Sequence, residues 1–205
     1  SLYFWGAAAS GKTHLLQAIG NEVLIHNPDA LVAYVPSERF INEIVDAIGK
    51  RHTQEFRSKY RKVDVLIVDD VQFFAQKEMT QVEFFHTFNE LFEANRQLIL
   101  SSDRPPKELR ELHDRLRSRF EMGMIVDVQF PTYETRLAIL QQKCREHQVL
   151  VAPEVLEFIA YSVLCLAAIA FFSKVLAVAI IFIVFLCAIT FLFINKNKEH
   201  AKVLG

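Results

Sequence analysis

Two rhythms of apolar residues alternate through the first 160 positions. Short apolar runs recur at Leu2–Trp5, Leu31–Val35, Val63–Val68, Gln97–Ser101 and Ile125–Phe130. Between them lie longer stretches with apolar residues three and four apart. Lys12–His26 carries Leu15, Leu16, Ile19, Val23 and Leu24, and the stretch from Ser37 to Gly49 carries Phe40, Ile41, Ile44, Val45 and Ile48. The first rhythm predicts strands and the second amphipathic helices. Further helices are predicted at Thr53–Arg61, Thr80–Asn95, His113–Phe120 and Thr132–His147, and another opens at Pro153. Ser37 and Thr53 read as N-caps, and Thr80-Gln81-Val82-Glu83 reads as a capping box. Val63–Val68 is apolar on both faces except at Asp64, as a central parallel strand should be. Strands alternating with helices predict an α/β fold, a parallel five-stranded sheet with helices on both faces. Ligands of such sheets lie beyond the carboxyl ends of the strands.

A chain of 205 residues accommodates one α/β domain with an appendage. The net charge of -1 leaves no global field to draw nucleic acid, so any such contact needs a local basic patch. Cys144, Cys165 and Cys187 are far apart, which argues against a zinc site or a disulfide framework and fits a reducing compartment. The histidines show no metal-ligand spacing, and His86 reads as a helix packing residue. Ser1 stands directly before a strand-like run, so the chain is expected to start mid-protein. The end differs from the rest. From Ser162 to Ile194 the only charged residue is Lys174, and 175–194 is an uncharged run long enough to cross a bilayer. It lies at the wrong end of the chain for a secretory signal.

Gly6-Ala7-Ala8-Ala9-Ser10-Gly11-Lys12-Thr13 matches G-x-x-x-x-G-K-[ST] between a strand and a helix. In this pattern the loop curls so that its amides face phosphate oxygens, the lysine reaches the β- and γ-phosphates, and the threonine hydroxyl meets Mg²⁺. The helix N-terminus adds positive potential. Gly6, Ala9, Gly11, Lys12, Thr13 and His14 are the candidate phosphate-binding residues. Val65-Leu66-Ile67-Val68-Asp69-Asp70 ends an apolar strand in two acids. Asp69 is the candidate Mg²⁺ ligand beside Thr13, and Asp70 the candidate group for orienting the attacking water. A nucleoside triphosphate with Mg²⁺ is therefore expected, although the motif alone does not say which NTPase this is; ATP as the nucleotide is what the resemblance given next implies.

SGKTHLLQAIGNEV, YVPSERFINEIV, VDVLIVDDVQFFAQKE, QVEFFHTFNELFE, LSSDRPPKEL, DRLRSRFEMGMIVDV and ETRLAIL together resemble the AAA+ domain of the DnaA family of bacterial replication initiators, from Leu2 to about Ala160. The resemblance implies a P-loop AAA+ nucleotide-binding domain over 1–152, with 153–205 a lid remnant running into a hydrophobic helical tail. It places Asp103 at the sensor-1 position, Arg119 at the arginine finger that reaches a neighbour's ATP, and Arg115 at a residue of subunit contact and nucleotide sensing. A guanidinium suits such work because it is permanently charged and forked. The alternative is a solvated basic helix in which Asp114 and Glu121 pair with the two arginines. By the same resemblance Val45 and Lys77 fall where the family contacts single-stranded DNA, and Glu38 matches a glutamate linked to hydrolysis. Val45 is equally readable as core. At Met79 some family members carry an arginine that touches DNA, and this chain does not.

The function implied is an ATP-dependent head-to-tail assembly on single-stranded origin DNA that promotes strand opening, with weak ATPase activity, in the cytoplasm. The replicative helicase machinery is a further implied partner. A helicase loader or an initiator-regulating AAA+ protein is the alternative, and an inactive membrane-associated fragment a third reading. The family's sensor-2 arginine would fall near Ala168, where this sequence has none, so ATP binding is expected to outlast hydrolysis. The helix-turn-helix domain and the upstream adenine-pocket residues of the family are not in this sequence. Three readings of the tail stay open: a membrane helix in a fusion, a frameshift or joining of unrelated sequence, and a buried helical lid. The abruptness of the change favours the second. The lack of a polar face in 175–194 counts against the third.

Overall fold

A computed structural model describes residues 1–172, with side chains through Ser162. Five strands form one parallel sheet: β1 (Leu2–Trp5), β2 (Val32–Pro36), β3 (Val65–Asp69), β4 (Gln97–Ser102) and β5 (Met124–Asp127), in the order β2-β3-β4-β1-β5. The helices between them are α1 (Lys12–His26), α2 (Ser37–Gly49), α3 (Thr53–Arg61), α4 (Glu78–Glu93) and α5 (Asp114–Glu121). Short 3-10 turns lie at Val71–Phe74 and Pro106–Glu108. This sheet and these helices make up Ser1–Phe130, one of two units of the chain. The other begins at Pro131 and contains α6 (Tyr133–Glu146) packed on α7 (Pro153–Phe172). Within it Thr132 caps α6 by accepting from the Thr135 amide, and Arg136 ties the pair together by donating to the Ala160 and Pro131 carbonyls.

The strands sort their side chains by parity, as a sheet buried on both faces requires. Tyr3, Leu66, Val68, Leu98 and Leu100 pack with α2 to α5 in the larger core. Phe4, Val65, Ile67 and Ile99 pack on the other face around Leu16 of α1. Phe40 of α2 has no exposed surface and meets the rings of Phe56, Tyr60, Phe74 and Phe84. Polar ties hold α3 in place. Glu43 of α2 accepts from Arg39, Lys59 and Tyr60. Partial burial alone would raise its carboxyl, but these three donors hold it down to about 2. Arg57 and Arg61 converge on the buried Glu83 of α4.

Each predicted N-cap in this unit gives way to a stronger tertiary partner or to a shifted helix start. Ser37 is the first residue of α2, behind Pro36, and its hydroxyl donates 2.7 Å to the Asp70 carbonyl. His52, not Thr53, occupies the cap of α3. The box at Thr80–Glu83 does not form: α4 starts two residues earlier, Thr80 is buried, and Glu83 is claimed by the two arginines. His86 is exposed, whereas Phe84, Thr87, Phe88 and Leu91 fill that helix's buried face. Val45 and Ile48 also stay outside the core of α2, which consists of Phe40, Ile44 and Ala47. β5 stops at Asp127, short of the predicted Phe130. No helix among the described residues is long and apolar enough to cross a membrane, and 175–194 lies outside those residues.

Candidate functional site

Three neighbouring strands, β3, β4 and β1, end side by side at Asp69, Ser102 and Trp5. The loop Gly6–Gly11 leaves β1 there and turns into α1. Glycine is required at Gly6 because an added Cβ would stand 2.2 Å from the Val128 carbonyl oxygen. Gly11 has φ 98°, which side chains rarely adopt. Ala9 sits at φ 63° although it carries a Cβ. Left-handed backbone costs a non-glycine residue roughly 1–2 kcal/mol, and glycine returns about 0.4–1 kcal/mol of that as unfolded-state entropy. Ala9→Gly is therefore expected to stabilise the protein by about 0.5–1 kcal/mol, read as a rise of a few degrees in Tm. An unchanged or lower Tm would show that the loop carries no such strain.

Lys12 is 7 % exposed, and its ammonium donates 2.8 Å to the Gly6 carbonyl and 2.9 Å to that of Ala7. An ammonium has three donors, so one remains for a ligand oxygen. The amides of Ala9, Gly11, Lys12 and Thr13 donate to no backbone carbonyl among the described residues. Four unpaired donors over a helix N-terminus, with a lysine head among them, fit a phosphate chain. His14 is exposed on the first turn of α1.

The Thr13 hydroxyl donates 2.7 Å to Asp69 Oδ2. Tyr34 donates 2.9 Å to the same oxygen, and Ser101 donates to Oδ1. Burial and the Asp69 carboxylate push the Tyr34 phenol up to about 12, which keeps it a donor. Thr13 and Asp69 thus present two adjacent hard oxygens. The described residues contain no cluster of three or more acidic, histidine or cysteine side chains able to hold a metal. Two oxygens without a protein cage suit Mg²⁺, which keeps its waters and takes the rest of its shell from substrate phosphates.

Asp70 follows in left-handed conformation at φ 63°. Its amide donates 2.8 Å to Ser101 Oγ, and its Oδ1 accepts 3.0 Å from Gln72 Nε2. Gln72 Oε1 in turn accepts the Asp103 amide at 3.3 Å. The Asp103 carboxylate forms a fork with Arg104, and the Arg104 guanidinium holds its carboxyl below the usual range. Gln72, Phe73, Asp103 and Arg104 face a cavity of about 770 Å³ that continues along the segment from Lys107 to Leu112.

Arg115 and Arg119 share one face of α5. Their guanidiniums lie 4.8 and 5.9 Å from the Phe85 ring centroid. Asp114 pairs with Arg117 instead, and neither Arg115 nor Arg119 forms a salt bridge among the described residues. The pairing with Asp114 and Glu121 expected of a merely solvated helix is absent there. Arg119 Nη1 donates 3.1 Å to the Met122 thioether, a weak acceptor, and with no carboxylate partner among the described residues the two cations keep their remaining donors available for an anion. Val45 is 62 % exposed, as is Met79, and Lys77 is exposed at the cap of α4. Glu38 is exposed on the first turn of α2. These residues do not join the phosphate-loop cluster. Sequence reading did not single out Tyr34, Phe85 or Gln72. Gln72 had one signal, its place two residues after the paired acids.

A family model for the bacterial DnaA ATPase domain matches residues 1–127. Domain III of the Thermotoga maritima replication initiation protein DnaA is 46 % identical, with TM-score 0.75 over 78 % of this chain and 67 % of that one. DnaA from Aquifex aeolicus bound to AMPPCP is 40 % identical, with TM-score 0.70 over 78 % of this chain and 49 % of that one. A replication initiator DnaA bound to AMPPCP and single-stranded DNA gives the same identity, TM-score and coverage. The chain spans about half the length of these last two.

Proposed function

Because the chain belongs to the bacterial DnaA ATPase-domain family, we propose that it is the ATP-binding core of a replication initiator that assembles on single-stranded origin DNA when ATP is bound. One observation carries this reading: the unpaired loop amides, Lys12, Thr13, Asp69 and Asp70 all meet where β1, β3 and β4 end. On this reading residues 1–152 are the nucleotide-binding domain and Pro153 begins the lid. Lys12 and the loop amides hold the phosphates, and Thr13 and Asp69 hold Mg²⁺, which screens phosphate charge when bound. Asp70 orients water, and Asp103 lies beside the terminal phosphate. Hydrolysis is slow and ends the assembly.

The partners proposed are a second copy of the chain, single-stranded DNA and the replicative helicase machinery, all in the cytoplasm. The AMPPCP- and DNA-bound DnaA relative supports the first steps of this sequence. The exposed Val45 and Lys77 suit an apolar and a phosphate contact with a single strand. Arg119, without a carboxylate partner among the described residues and held over the Phe85 ring, suits a phosphate of the neighbouring subunit.

Assembly tests the reading. Sedimentation of the full chain with Mg·ATP and a single-stranded oligonucleotide is expected to show a complex that ADP does not support. Arg119→Ala should bind ATP like the parent while its assembly falls about tenfold, the loss of one charge-assisted pair. Assembly unchanged in that variant removes the finger assignment. Assembly indifferent to nucleotide removes the proposed function.

A further inference from the structure

We infer that Gln72 is a positioning residue that sets the Asp70 carboxylate against the Asp103 segment, which deepens the ATPase reading and rests on it. Two brackets join the end of β3 to the end of β4. In the first, Ser101 donates to Asp69 and accepts the Asp70 amide. In the second, Gln72 donates to the Asp70 side chain and accepts the Asp103 amide. The first bracket fixes backbone and metal ligand. Only the second grips the Asp70 carboxylate.

The chemistry of the second bracket is selective. A carboxylate only accepts and a backbone amide only donates, so the bridging side chain must donate at one end and accept at the other. A carboxamide does both, and the two partners leave it a single orientation. Glutamate of the same length keeps the acceptor for Asp103 but turns the other end against Asp70. Leucine keeps the volume and loses both bonds. Asp70 needs such a hold because its own backbone is left-handed and its side chain is the last group before a turn. A misplacement of a water-orienting group by about 1 Å costs on the order of a hundredfold in rate, and loss of one of its holds costs less.

The bracket also gives the Asp103 segment a path to Asp70. The Asp103 amide lies at the first residue after β4, and the Asp103 side chain and Gln72 line the same cavity. A shift of that segment on contact with a terminal phosphate pulls on Gln72 Oε1, and the rigid amide passes the shift to the carboxylate 3.0 Å from its nitrogen.

Single-turnover hydrolysis of Mg·ATP by the full chain, with affinities for ATP and ADP and the Tm measured alongside, tests the role. Gln72→Glu and Gln72→Leu are expected to hydrolyse about tenfold more slowly while both affinities stay within about twofold and Tm within a few degrees. In an Asp70→Asn background neither change should slow hydrolysis further, since both act through the same group. The inference is overturned if either variant hydrolyses like the parent, if the slowing tracks lost affinity or Tm, or if it adds to that of Asp70→Asn. A parent chain that binds ATP without turning it over overturns the role of Gln72 and leaves the binding site standing. A parent chain that does not bind ATP overturns the nucleotide reading itself.

Discussion

Lys12→Ala is expected to weaken Mg·ATP binding at least about a hundredfold, close to 2.7 kcal/mol. One charge-assisted hydrogen bond to a phosphate oxygen is worth about 1.5–3 kcal/mol, and the ammonium also balances charge along the phosphate chain. The residue has a second task, because its bonds to the Gly6 and Ala7 carbonyls hold the loop closed around it. Lys12→Met keeps most of the stem and separates the two tasks. Titration with a fluorescent ATP analogue should show the same loss in both variants, with Tm lowered less in the methionine variant. Saturable binding of parental strength in either would remove the phosphate site from this loop.

Phe40→Ala is expected to destabilise the domain by about 3–5 kcal/mol, the range for truncating a buried aromatic ring. Its ring lies 5.0 Å from Phe56 and from Tyr60, 5.4 Å from Phe84 and 5.6 Å from Phe74. One side chain thus joins α2, α3, α4 and the turn after β3. At about 2–4 °C per kcal/mol, Tm should fall by roughly 6–20 °C, and the urea midpoint should fall without a change in slope. A loss under about 1 kcal/mol would show that the four neighbouring rings close over the gap. Because α2 carries Val45, the same variant should lose any single-strand binding near physiological temperature before it loses nucleotide at low temperature.

The sheet was legible from the sequence because a doubly covered parallel strand must be apolar on both faces, and Val65–Val68 satisfies that without help from any distant residue. The phosphate loop was legible for a related reason: its glycines and lysine follow from local backbone geometry. The caps were not. Ser37, Thr53 and Thr80 each have a capping side chain at a helix start, yet Ser37 bonds the Asp70 carbonyl and Glu83 bonds two arginines of another helix. Periodicity cannot report partners that are far away in the chain. His86 failed similarly: its neighbours Phe84, Thr87 and Phe88 took the buried face, and a one-residue phase error on a helix turns a side chain by about 100°. The Phe85 platform under Arg115 and Arg119 and the Gln72 bridge depend on pairs of elements meeting in space. The Phe85 platform has no sequence signature of its own, and the Gln72 bridge has only that residue's place two positions after the paired acids. The left-handed backbone at Ala9 was not legible, since the motif accepts any residue there and only the φ of 63° reveals it.

The position of β1 has a consequence for synthesis. It comes first among the strands yet pairs with β4 and β5, and the Val128 amide closes beneath Trp5, just where the phosphate loop begins. A ribosome adding roughly 5–20 residues per second therefore spends on the order of ten seconds between making Lys12 and making the floor on which its loop rests. For most of that interval, until β4 is made, the nascent chain holds an apolar strand without either of its sheet neighbours, and its phosphate loop lacks the Val128 carbonyl it packs on. Nucleotide is thus a reader of the finished sheet, unable to template it.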